Sequence, residues 1–140
     1  MHESLTLEVV TPERRVVDNL AVKSLVVPAT SGYLGVLPGH APIVVGLGVG
    51  AVKYRPAGSP QRFEKMAVSG GFLEVFEDRA TLLAETAEPA ADIDVARARA
   101  AQERADRRLR EKAEGTDRAR AEAALRRALN RLHVAEGERH

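Results

Sequence analysis

Arginine is the residue whose spacing first suggests chemistry in this chain. Arg97, Arg104 and Arg108 follow at intervals of seven and four, and Arg127 and Arg131 are four apart. On a helix, such intervals place side chains along one face. Guanidinium forks match phosphate oxygens two at a time. Like charges stacked on a face repel weakly unless an anion sits among them. The residues alone leave a second reading open and favour it: a solvated basic face with local partners such as Glu103, Asp106 and Glu122. Surface ion pairs of that kind contribute little beyond wetting a helix.

Other chemistry-bearing residues read as structural. The chain has no Cys, which removes disulfides, thiolate catalysis and Cys-based zinc sites together. His40 lies in a Pro/Gly bend with no second His nearby, so a turn role is expected and no metal site is expected. Glu74 falls on one face of an alternating strand, and Glu77-Asp78 forms a turn, which suits solvation better than general acid–base work. Ser69-Gly70-Gly71 lacks the Gly-x-Ser-x-Gly frame of a nucleophile elbow. Gly46, Gly48 and Gly50 precede a strand and not a helix, so they are no dinucleotide fingerprint. No catalytic residue and no catalytic cofactor is expected.

These residues must be positioned by two unlike halves, with the seam near residue 91. All five aromatics and all seven prolines precede it. Before it, short β-branched runs alternate with Gly/Pro turns. Leu5-Leu7-Val9, Arg15 to Asp18, Ala21 to Val27, Tyr33 to Leu37, Ile43 to Leu47, Val49 to Tyr54, Gln61 to Val68, Phe72 to Phe76 and Ala80 to Glu85 read as strands. The pattern predicts an antiparallel sandwich or barrel over 1–88. After the seam, Val95, Ala98, Ala101, Ala105, Leu109 and Ala113 recur at helical spacing, as do Ala121, Ala124, Leu125, Ala128, Leu129 and Leu132. Asp92 is the expected N-cap, with Asp94 in the first turn. Gly115 offers a left-handed stop, and Thr116 a cap for the second helix. The expected fold class is α+β, with an antiparallel helical hairpin over 92–135 and a tail at 136–140. Its seam is mostly Ala. At about 25 cal/mol per Å² each Ala buries little, so the hairpin should be weakly held.

Bulk properties bound the rest. Net charge is +1, split between 8 basic and 10 acidic residues before the seam and 13 and 10 after it. With no aromatic beyond Phe76 to stack on bases, nucleic acid is not an expected partner. Ser24 to Val52 carries no ionisable group except Tyr33 and His40, but Pro28, Pro38 and Pro42 interrupt it, so a lipid-exposed span is not expected. Met1-His2-Glu3-Ser4 has no basic or apolar leader, so no signal peptide is expected.

Three runs carry a resemblance. Gly32-Tyr33-Leu34-Gly35-Val36-Leu37-Pro38-Gly39-His40-Ala41-Pro42, then Val68-Ser69-Gly70-Gly71-Phe72-Leu73-Glu74-Val75, then Ile93-Asp94-Val95-Ala96-Arg97-Ala98 closely resemble the epsilon subunit of bacterial F-type ATP synthase. The likeness covers nearly the whole chain in order. It implies a non-catalytic rotor subunit. Its β domain would grip the gamma subunit and touch the c-ring, at the cytoplasmic face of the bacterial membrane and peripheral to it. Its helical hairpin would either fold or extend along gamma toward the alpha/beta catalytic head and inhibit ATP hydrolysis. The third run resembles the (Ile or Leu)-Asp-x-x-Arg-Ala pattern of ATP-binding members. Carried over by position, the ATP contacts implied are Glu88, Ile93, Asp94, Arg97, Ala98, Arg104, Arg127 and Arg131. ATP is then a regulatory ligand, with Mg²⁺ left open. The resemblance reverses the preference for a merely solvated arginine face. Pro89, directly after Glu88, makes that contact the least secure. No Gly-x4-Gly-Lys-Ser/Thr loop is present, so bound ATP should be sensed and not hydrolysed. The alternative is a free-standing adenine-nucleotide sensor, which would bind ATP without a gamma partner.

Overall fold

A computed structural model describes residues 3–111 and 114–136. Six strands come first: β1 (Leu5–Val10), β2 (Arg15–Ala29), β3 (Gly32–Val36), β4 (Ile43–Pro56), β5 (Glu64–Phe76) and β6 (Arg79–Pro89). A 3-10 turn at Ala90–Asp92 leads into α1 (Val95–Arg110) and α2 (Gly115–Glu136). The strands form one compact unit ending at Pro89, and the helices form a second beginning at Ala90.

Alternation builds the first unit. Leu5, Leu7 and Val9 are wholly buried while their neighbours on β1 are not. Sheet order is β1-β6-β5-β4-β2-β3, and β1 also pairs with β2, so five strands close a ring and β3 lies along the second half of β2. Closure leaves few open edges. Inside, Leu25, Val27, Val52, Met66, Val68, Leu73 and Leu82 join the β1 residues in one core. Each fully buried side chain of this size contributes about 1.5–3 kcal/mol.

The expected sandwich or barrel is present, with differences in detail. The pairing of β1 with β6 is parallel, from Thr6↔Arg79 to Val10↔Leu83, amid antiparallel neighbours. Runs expected as separate strands are continuous: Asn19 and Leu20 do not end β2, and Gly48 does not end β4. The return strand begins at Glu64, not Gln61. Ser69-Gly70-Gly71 does not end β5 either. Val68↔Ala87, Ser69↔Thr86 and Phe72↔Leu83 hold one register through it. Gly70 and Gly71 have φ of 68° and 114°, and a Cβ on Gly71 would lie 2.0 Å from the Leu83 carbonyl oxygen. Two glycines therefore let β5 turn sharply while staying paired on both sides.

The turn residues are also more engaged than solvation implies. Leu37-Pro38-Gly39-His40 closes with a His40 N–H to Leu37 carbonyl bond of 3.1 Å. The Asp78 carboxylate accepts from Gly39 N–H at 2.7 Å. His40 serves the bend, its Nδ1 lying 2.7 Å from the Ala41 carbonyl.

A candidate nucleotide site in the helical hairpin

The helical unit starts with a correction. Asp94, not Asp92, is the N-cap of α1: its backbone is extended and its Oδ1 accepts from Arg97 N–H at 3.1 Å. Asp92 is taken up by the preceding 3-10 turn, which closes with Ile93 N–H on the Ala90 carbonyl. The cap uses one carboxylate oxygen, and an ionised carboxylate has about four acceptor sites. Asp94 can thus hold the helix and still accept from a ligand amino group.

Seam residues are small, as the pattern predicts. Ala98 and Ala105 on α1, with Ala121 and Ala128 on α2, are exposed by 3% or less. Val134 is also buried, while Leu129, expected on the apolar face, is 44% exposed. On a 22-residue helix a wide stripe cannot all face one slender partner, so Leu129 falls outside the contact. Ala113 lies outside the described residues, as do His2, His140 and most of the tail. Gly115 has the expected left-handed φ of 59°, although α2 already begins there, one residue before the expected Thr116 cap. Arg99 at the start of α1 donates to Glu136 at the end of α2 at 2.8 Å, which ties the two as an antiparallel pair.

An open cleft of about 510 Å³ runs along this pair. Arg104 and Arg108 line it from α1, Arg120 and Arg127 from α2, with Ala101, Ala105, Ala121, Ala123 and Ala124 between them. No carboxylate lines the cleft, and among the described residues none of these four arginines is in an ion pair. Glu122, a local partner in the solvated reading, pairs instead with Arg118 at 3.1 Å. Four guanidinium groups over a floor of methyls have the chemistry of an oligophosphate cradle.

The carried-over residues divide. Arg104 and Arg127 meet in the cleft. Ile93, Asp94, Arg97 and Ala98 cluster at the start of α1, near the end of the hairpin where α2 carries Arg131, and do not line the cleft. Ile93 and Ala98 are buried, and Arg97 is exposed. Glu88 stands in β6 opposite Ala67, in the barrel unit. The cleft adds Arg108 and Arg120, absent from the carried-over set. Arg120 had a legible signal: with Arg127 and Arg131 it repeats on α2 the seven-then-four spacing of Arg97, Arg104 and Arg108. Among the described residues no three His or acidic side chains gather as a metal site.

Comparison with known proteins covers both units. Residues 4–90 match the family model described as ATP synthase, Delta/Epsilon chain, beta-sandwich domain, and residues 91–136 match its long alpha-helix domain. The chain is 53% identical over 132 residues to the ATP synthase epsilon chain of Moorella thermoacetica, covering 94% of this chain and 96% of that one. It is 46% identical over 131 residues to that of Symbiobacterium thermophilum, covering 94% and 92%. Its fold is similar to a chain in the Euglena gracilis mitochondrial ATP synthase structure (OSCP/F1/c-ring, rotational state 1), with TM-score 0.81 and 22% identity over 99% of this chain and 82% of that one. By sequence and by fold in both units, the chain belongs to the epsilon-chain family of ATP synthase, the family of a non-catalytic subunit of that enzyme.

Proposed function

We propose that this chain couples rotation between the gamma subunit and the c-ring of a proton-translocating ATP synthase, and that its hairpin restrains ATP hydrolysis when ATP is scarce. It would act peripherally, at the cytoplasmic face of the membrane. Among the described residues no helix is long and apolar enough to cross a bilayer. Docking is supported by the outer face of β4, β5 and β6. There Val44, Phe72, Phe76 and Leu83 are each more than half exposed, and Phe72 sits directly across from Leu83. Contiguous exposed apolar surface marks a protein contact.

The observation that carries the nucleotide reading is the arginine-lined cleft over an alanine seam. Phosphates in the cleft would neutralise charge on both helices together, while Asp94 would accept from the adenine amino group. A ligand bound only by the closed hairpin stabilises it by RT ln(1 + [L]/Kd), about 2.7 kcal/mol at hundredfold excess. That is enough to shift a weakly held pair from mostly open to mostly closed. Without ATP the helices would part and extend along gamma toward the alpha/beta head. Any Mg²⁺ would arrive with the phosphates.

The test is titration calorimetry on the full chain. The wild type is expected to bind ATP, and Arg104→Ala combined with Arg127→Ala, one cleft arginine from each helix, is expected to abolish the signal. Unchanged affinity in the double variant contradicts the site.

A further inference from the structure

Asp78 joins segments far apart in sequence. Its carboxylate accepts from Gly39 N–H at 2.7 Å, and its carbonyl accepts from Thr6 N–H at 2.8 Å. The turn it holds has Pro38 and Gly39 at its centre, a φ of 86° at Gly39, and a closing bond from His40 to Leu37. Those features define a type II turn. Types I and II differ by a flip of the central peptide, here Pro38–Gly39, and the closing bond is compatible with either. The Asp78 carboxylate receives the N–H of that peptide, so it selects one orientation. Asp78 itself has a φ of 59°, which Asp, Asn and Gly tolerate and most residues do not.

This bend lies at the end of the exposed apolar face. Leu37 precedes it, Val44 follows it two residues beyond Pro42, and Phe76 leads into the turn that carries Asp78. We propose that Asp78 is the positioning residue for the Pro38–Pro42 bend, fixing its peptide so that the bend and the apolar face meet the rotor as one preformed surface. The inference rests on the rotor reading above. A preformed surface loses less conformational freedom on docking and so dissociates more slowly.

The test uses the full chain and solubilised synthase stripped of this subunit. Asp78→Gly removes the acceptor but keeps the backbone geometry; Asp78→Asn keeps both. Melting of both variants should match the wild type within a few degrees. Amide exchange at Gly39 is expected to rise at least tenfold in Asp78→Gly, with dissociation from the synthase several times faster, and Asp78→Asn should restore both. Wild-type dissociation by Asp78→Gly, or unchanged exchange at Gly39, overturns the inference while leaving the rotor reading intact. Failure of the wild type itself to rebind overturns the rotor reading and the docking half of this inference with it.

Discussion

Asp94 caps α1, and in the proposed function it also accepts from the adenine amino group. Loss of an N-cap acceptor costs about 1 kcal/mol. Asp94→Ala should therefore lower both helical stability and ATP affinity. Asp94→Asn keeps the cap, since Asn caps as well as Asp, but has no carboxylate to face the adenine amino group. Its melting should match the wild type while calorimetry shows weaker ATP binding; equal affinity would leave Asp94 as a cap alone. Tyr54 offers a pH test in the barrel. Burial, reinforced by the Glu64 charge, holds its phenol above the usual tyrosine range. In the unfolded chain the phenol ionises near pH ~10. Above that, the unfolded state releases a proton that the folded state keeps, so stability falls as pH climbs through the folded value. Tyr54→Phe should flatten this alkaline loss in denaturant melts, and an identical slope would contradict the assignment. The resemblance proposes Asp94 as an ATP contact, while the local sequence reading assigns the cap to Asp92 instead of Asp94. The choice between two acids two residues apart is made by the 3-10 turn, whose backbone bond has no side-chain signature.

At the scale of elements, β5 and the hairpin behave oppositely. β5 is pinned on both edges, so its bend demands glycine. Gly71→Ala should destabilise the barrel by ~2 kcal/mol or more, through an unfavourable φ and a clash with the Leu83 carbonyl. Urea melts measure this, and a near-neutral result would contradict the geometry. The hairpin instead tolerates no bulk. Ala105→Leu should overpack the seam by about 1–3 kcal/mol and weaken ATP binding, although residue 105 carries no charge. Strand existence was legible because period-2 burial leaves a strong mark at Leu5, Leu7 and Val9. Strand length was not: Gly48, Gly70 and Gly71 read locally as breaks, and only pairing on either side shows that the strands run through them. The parallel β1–β6 contact had no local signal, because it joins the two ends of the barrel sequence.

For the whole molecule, the division of labour at the seam was plain from composition. Leu, Val and Met fill the core of the barrel, which also carries every aromatic and proline, while alanine and arginine dominate two helices joined through small side chains. That contrast gives the regulatory account its physical basis: docking through the barrel can persist while the helices open. The cleft itself was only half legible, because helical spacing gives faces but not which faces meet. Closure of the two helices by ATP is the central claim, and the absence of cysteine permits a direct measurement. Exposed Ala96 and His133, near the same end of the hairpin and outside the cleft, can each be replaced by Cys and spin-labelled in the full chain. With saturating ATP, the inter-label distance should collapse to one short, narrow population; without it, a long and broad population should dominate. The same distribution in both conditions would contradict the account.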